Sequence, residues 1–278
     1  MNKNEVYKLP SSLSMCSLLK HLKLSSCSIS PPPSFKGLNR LITLELLDVI
    51  IDTEVLGSLI TSSPELEQLV LHVPAGFHHL TIDAPKLKLV KLKCFRAYVY
   101  FKKSPLLAIV SVASLTTICY NSIIHRKYDF IEFFDSLPAL QQLCIDYQMM
   151  KILAAGQVQT RLPATLVHLK ILSLFYICLD SSEDLSYVLF LFRSSPNIEK
   201  LKLQILHRPY VDALPEMTLI KLLLEKSPKL DRMVIRLKWP LEKLADKGFG
   251  ILIKTNKFER ASPNAKVIFK ALDETELW

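Results

Sequence analysis

SSPNIEKLKL, residues 194–203, sets a helix stop, a proline-fixed turn and a short run of alternating aliphatic residues end to end. The chain repeats this stretch. SSPELEQLVL spans residues 62–71 and KSPKLDRMVI residues 226–235, while DAPKLKLVKL from Asp83, KSPLLAIVSV from Lys103 and SLPALQQLCI from Ser136 are looser copies. Proline fixes φ and cannot continue a helix, so a shared Ser-Pro before each run marks a shared turn. The run after it has the form LxxLxL, whose period of two places the leucines on one face of a strand and the intervening residues on the other.

Aligning the chain on the middle leucine gives ten candidate strands, centred on Leu22, Leu44, Leu69, Leu80, Val90, Val110, Leu143, Leu172, Leu201 and Met233. Successive centres are 22, 25, 11, 10, 20, 33, 29, 29 and 32 residues apart. Most of these intervals fall in or near the leucine-rich range of about 20–29 residues. The two short ones around Leu80 read as a repeat whose outer side has shrunk to a turn. Helical patterns fill the longer intervals: Asp52 precedes Val55, Leu56, Leu59 and Ile60 on one face, and Ser181 with Asp184 opens a run through Leu185, Val188, Leu189 and Phe192. Pro215 opens a third helix carrying Leu219, Ile220, Leu222 and Leu223, Gly156 reads as a helix cap after QMMKILAA, DFIEFFD is a short helix, and NAKVIF a last strand. The pattern predicts an α/β leucine-rich-repeat solenoid, with a parallel sheet on its concave face and helices and turns on its convex face.

Composition agrees with a packed, non-catalytic chain. Half of the 278 residues are hydrophobic and 22% are charged, which argues against disorder. Six glycines against 16 prolines suit rigid turns rather than phosphate-cradling loops. No apolar stretch follows MNKNEVYKLP, so the reading is against a secretory signal. The most apolar run, Leu106 to Tyr120, is short for a membrane span and carries four Ser/Thr residues; it reads as core. Six cysteines without a CxxC pair read as free buried thiols of a cytoplasmic or nuclear protein.

Nothing in the sequence assembles a catalytic set, a cofactor site or a metal site. The lone GFG at residues 248–250 is no phosphate fingerprint, and the seven histidines are scattered. The chain therefore reads as a binding protein and not an enzyme. Its informative surface is the set of residues alternating with the leucines. Those selected for partner binding are Lys91, Lys93, Ile171, Phe175, Lys200, Lys202, Arg232 and Arg236. If the last strands are neighbours, Lys200 and Lys202 stack beside Arg232 and Arg236, and like charges side by side cost a few tenths of a kcal/mol each. An acidic or phosphorylated protein segment relieves that cost, with Ile171 and Phe175 as apolar anchor. A solvated lysine-rich face that contacts nothing is the plainer alternative. The net charge of +9 also raises nucleic acid, against which stands the lack of aromatic residues interleaved with the basic ones.

The segment Leu153–Leu179 (LAAGQVQTRLPATLVHLKILSLFYICL), its continuation into RSSPNIEKLKL, and LLLEKSPKLDRMVI followed by ASPNAKVIF resemble the plant F-box/FBD/leucine-rich-repeat proteins over essentially the whole chain. The resemblance implies a solenoid over residues 1–205, continuous with FBD-like C-terminal repeats and a cap over residues 206–278. It further implies the substrate-recognition part of a Skp–cullin–F-box ubiquitin ligase. A Skp-type adaptor is expected as partner only where an F-box precedes the repeats, and here MNKNEVYKLPSSLSM leads straight into the first LxxLxL.

Overall fold

The proline-bearing turns close one recurring hydrogen bond. The Leu66 N–H donates to the Ser63 carbonyl (3.0 Å), Leu87 to Ala84 (3.2 Å), Leu107 to Ser104 (3.1 Å), Leu140 to Leu137 (3.2 Å), Leu230 to Ser227 (3.3 Å) and Ala265 to Ser262 (3.2 Å). In each, proline occupies the second position of a four-residue turn, where its fixed φ is already correct. These are features of a computed structural model that describes residues 7–8, 16–30, 38–73, 79–94, 98–102, 104–114, 130–154, 165–179, 182–206, 214–238 and 253–270. Two compact units result, Met1–Ile123 with Glu132–Leu140, and Ile124–Ile131 with Gln141–Trp278.

In the first unit, β2 (His21–Ser25), β4 (Thr43–Leu47), β6 (Gln68–Val73), β8 (Leu89–Cys94) and β10 (Ile109–Ser114) pair in parallel and in chain order. Their central residues Leu44, Leu69, Val90 and Val110 lie in register and are fully buried. Two smaller parallel sheets accompany them. One joins β1 (Tyr7–Lys8), β3 (Cys27–Ile29) and β5 (Ile50–Ile51); the other joins β7 (His79–Asp83) and β9 (Tyr98–Lys102). Ser26 and Asp48, just beyond β2 and β4, sit at φ 51° and 54°. That left-handed step turns the chain inward and brings Cys27 and Val49 into the core.

Leu80 does not take the ladder position that its spacing predicts. Leu80 is buried, but β7 pairs with β9 and packs against α1 (Thr53–Thr61) instead of joining the ladder. The ladder passes directly from Leu69 to Val90, so both short intervals belong to a single repeat with a strand on its far side. Period-two alternation cannot tell these two kinds of strand apart.

In the second unit, β11 (Gln142–Asp146), β12 (Ile171–Ile177), β13 (Lys200–Leu206), β14 (Arg232–Lys238) and β15 (Lys266–Lys270) again pair in parallel in chain order. Leu143, Leu172, Leu201 and Met233 form the buried rungs, and β15 supplies the last strand expected from NAKVIF. Helices α3 (Tyr147–Ala154), α4 (Ser182–Arg193) and α5 (Leu214–Glu225) lie in this unit, and α2 (Phe130–Asp135) falls where the chain divides. The Gly156 cap, the Ser181 position and the GFG lie outside the described residues.

Local chemistry explains where the helices stop and start. Asp52 Oδ1 accepts from the Glu54 and Val55 N–H groups at 2.8 and 3.4 Å, capping α1, whose Leu56, Leu59 and Ile60 are buried. At the other end, Ser63 Oγ donates to the Leu59 carbonyl (2.8 Å). Ser195 does the same to Leu191 (2.7 Å), and Ser227 to Leu223. At these three turns the serine before the proline thus ties up a carbonyl that the end of the helix leaves unsatisfied. Burying one leucine is worth about 1.5–3 kcal/mol, against a few tenths for like charges on the opposite face. The rungs therefore fix the register, and the open face is free to carry charge.

Candidate functional site

Residues alternating with the rungs form rows across the second unit. The first row runs Gln142, Ile171, Lys200, Arg232, Lys266, each the register partner of the next. Lys200, Arg232 and Lys266 are all exposed, on three adjacent strands. The second row is Cys144, Ser173, Lys202, Val234, Ile268, in which Lys202 is half-buried. Strands lie about 4.8 Å apart, so the three cations of the first row span about 10 Å.

Several lysines elsewhere in the chain are handled differently. Lys23 pairs with Glu45 (2.8 Å), Lys86 with Glu65 (2.6 Å), Lys88 with Glu67 (2.8 Å) and Lys170 with Glu199 (3.0 Å), each between successive repeats. Lys200, Lys202, Arg232 and Lys266 have no carboxylate partner among the described residues. Lys23, Lys86, Lys88 and Lys170 are tied from repeat to repeat, whereas the cations of the row are not. Lys266 is the member that sequence alignment missed, because the last strand was read there without a register.

The expected site is divided and trimmed by the structure. Lys91 and Lys93 lie on β8 of the first unit, beside Val70 and His72 on β6. Ile171, Lys200, Lys202 and Arg232 come together on the second unit, though the neighbour of Lys202 on β14 is Val234 and not an arginine. Phe175 and Arg236 are on the same side of the sheet, but they are buried, at 5% and 4% exposure. Both stand in the C-terminal halves of seven-residue strands, and Phe175 is buried among its own neighbours. Phe175 packs with Cys144 and Tyr176, and α3 springs directly from β11 to lie against β11 and β12. Asp146, itself buried, caps that helix by accepting from the Met149 N–H (2.8 Å). Gln204 and Arg236, paired in register, sit beneath the surface at the same level. A bulge at Phe175–Tyr176, with Tyr176 at φ 56°, displaces the register of β12 on β13 there.

Elsewhere the side chains serve structure. Cys27 is buried, and removal from water pushes its thiol pKa up, which disfavours the reactive thiolate. His72 faces Asp48 (3.4 Å), while His79 stacks edge-on against Tyr100 in the other sheet. On the helix side a groove of about 340 Å³ lies between α4 and α5, lined by Leu189, Phe192, Ile198 and Leu222. Ser195 and Ser227 also line it, but their hydroxyls already donate to helix carbonyls. Among the described residues no helix is long and apolar enough to cross a membrane.

Parallel rungs, proline-fixed turns and an accessible charged sheet face define a leucine-rich-repeat protein-interaction module. The family described as the LRR repeats of FBD-associated F-box protein At5g56370 matches residues 2–205. The F-box/FBD/LRR-repeat protein At1g13570 of Arabidopsis thaliana is 27% identical over 301 aligned positions, covering 95% of this chain and 70% of that protein. The chain belongs to the FBD-associated F-box protein leucine-rich-repeat family. Its fold is that of an α/β leucine-rich-repeat solenoid.

Proposed function

We propose that the chain is the substrate-recognition part of a Skp–cullin–F-box ubiquitin ligase receptor, and that its second unit holds an acidic or phosphorylated segment of the target. The observation that carries the reading is the row Lys200–Arg232–Lys266 with Lys202 behind it, none of them with a carboxylate partner among the described residues. Carboxylate or phosphate oxygens laid along the row offset the mutual repulsion of the cations, and Arg232 can hold either in a two-point fork. Ile171, half-buried at the end of the row, supplies apolar contact beside the charges. Residues 206–278 are assigned, as part of this reading, to FBD-like repeats continuous with the solenoid.

Two measurements test it. A fluorescein-labelled peptide with a phosphoserine flanked by glutamates is titrated with the protein and with the Lys200→Glu/Arg232→Glu variant. At least a tenfold loss is expected in the variant, and equal affinity for both overturns the open-face site. Co-purification of a Skp-type adaptor with the gene product tests the ligase role independently of that site.

A further inference from the structure

Among the described residues β15 is the last strand in the ladder of the second unit, and it is built unlike the strands before it. Its register with β14 places Val267 beside Met233 and Phe269 beside Ile235. Met233 and Ile235 are fully buried, whereas Val267 and Phe269 remain half-exposed. In a leucine-rich ladder each rung is buried by the next repeat, so these two side chains mark a core face that the described residues leave partly open.

The backbone of the same strand is equally unfinished. The Lys266 N–H donates to the Asp231 carbonyl (2.9 Å), so Lys266 turns its backbone groups toward β14. In a parallel pair the N–H and C=O of one residue point to one side and those of the next residue to the other. Val267 and Phe269 therefore aim theirs away from β14, where no strand is paired among the described residues. Such an edge is a template for a further strand.

Charge selects the occupant. Lys266 and Lys270 are exposed at the two ends of β15, on the face opposite Val267 and Phe269. A second copy pairing antiparallel through this edge, with Val267 opposite Phe269, would set Lys266 beside Lys270, which is how edge strands reject themselves. We propose that β15 accepts, by strand addition, an extended segment of a partner protein with the pattern acidic–apolar–any–apolar–acidic. Its carboxylates then stand beside Lys266 and Lys270, and its apolar residues continue the rungs of Val267 and Phe269.

The probe is a fluorescein-labelled peptide, Ser-Glu-Val-Thr-Val-Glu-Ser, titrated into the full chain by polarisation. Saturable binding is expected, weakened at least tenfold when both glutamates are replaced by lysine. N-methylation of the peptide amides that face the edge should produce a loss of similar size, since it removes ladder bonds and keeps the side chains. Val267→Pro deletes an outward N–H without breaking a bond to β14 and leaves Lys200, Lys202 and Arg232 in place. This variant should melt as the parent does, lose the probe and keep the phosphoserine peptide of the open face. Lys266→Glu/Lys270→Glu should reverse the preference in favour of the lysine-flanked peptide. Absence of saturable binding by the parent, or indifference to N-methylation, overturns the proposal. So does a concentration-dependent dimer abolished by Val267→Pro, which would assign the edge to a second copy.

Discussion

Cys27 shows how one side chain records its place in the repeat. The left-handed step at Ser26 turns the chain off β2, and the next residue must be small and apolar to be buried there; Cys27 and, one repeat on, Val49 meet that requirement. Burial raises the Cys27 thiol pKa, so in the fold this group holds its proton to higher pH than in the unfolded chain. Between the ordinary thiol value and the raised one, the folded state binds more protons, and stability falls as pH rises through that window. Exposed Cys16 should accordingly react with maleimide at pH 7.5 well before Cys27, whose modification should track unfolding. Mass spectrometry of the alkylated chain against time checks the order; equal rates would mean that the β2–β3 corner opens in the native state.

At the scale of the element, the sequence carried the ladder because its signal is local. Each proline-fixed turn followed by LxxLxL leads into a strand here, and Leu69, Val90 and Leu201 fall on rungs, as do Leu44 and Leu172 after turns without proline. Which sheet a strand joins is a non-local matter, and the Leu80 strand satisfies the same alternation while pairing with β9. The basic face was legible for the same reason as the rungs, since alternation alone puts Lys200, Lys202 and Arg232 opposite the core. The burial of Phe175 and Arg236 was not, because it depends on tertiary packing that alternation does not encode: Phe175 sits against Cys144 and Tyr176, beside the bulge of β12. One element retains slack. Gly57 lies inside α1 at an ordinary helical φ, with open space where a side chain would begin. Gly57→Ala should stabilise the protein by about 0.5–1 kcal/mol, since alanine removes unfolded-chain freedom at a helical site. A rise in the urea midpoint at constant slope would show it.

For the molecule as a whole, the net charge of +9 is a statement about how partners are attracted, not about which partner is right. The geometry narrows it. Four cations without a carboxylate partner among the described residues lie on the open face of the second unit, so an acidic segment engages few charges at once. Affinity for the phosphoserine peptide should fall by about tenfold or less between 0.05 and 0.2 M salt. A duplex held through six to ten phosphates would lose about 10³–10⁵ over the same range. Parallel titrations of the peptide and of a random duplex therefore separate protein recognition from adventitious polyanion binding, and a steep, tight duplex curve would favour nucleic acid.

The serines that close the helices carry a consequence for anyone mapping modifications on this protein. Ser63, Ser195 and Ser227 each stand before a proline, the local signature that proline-directed kinases read. Each hydroxyl is also buried, and its proton is already donated to a helix carbonyl one turn back. A kinase needs that oxygen free and the segment extended in its cleft, which the native turn forbids. Phosphate found at these three positions should therefore report molecules caught before folding or after unfolding. Its bulk and charge would then keep the turn from reforming.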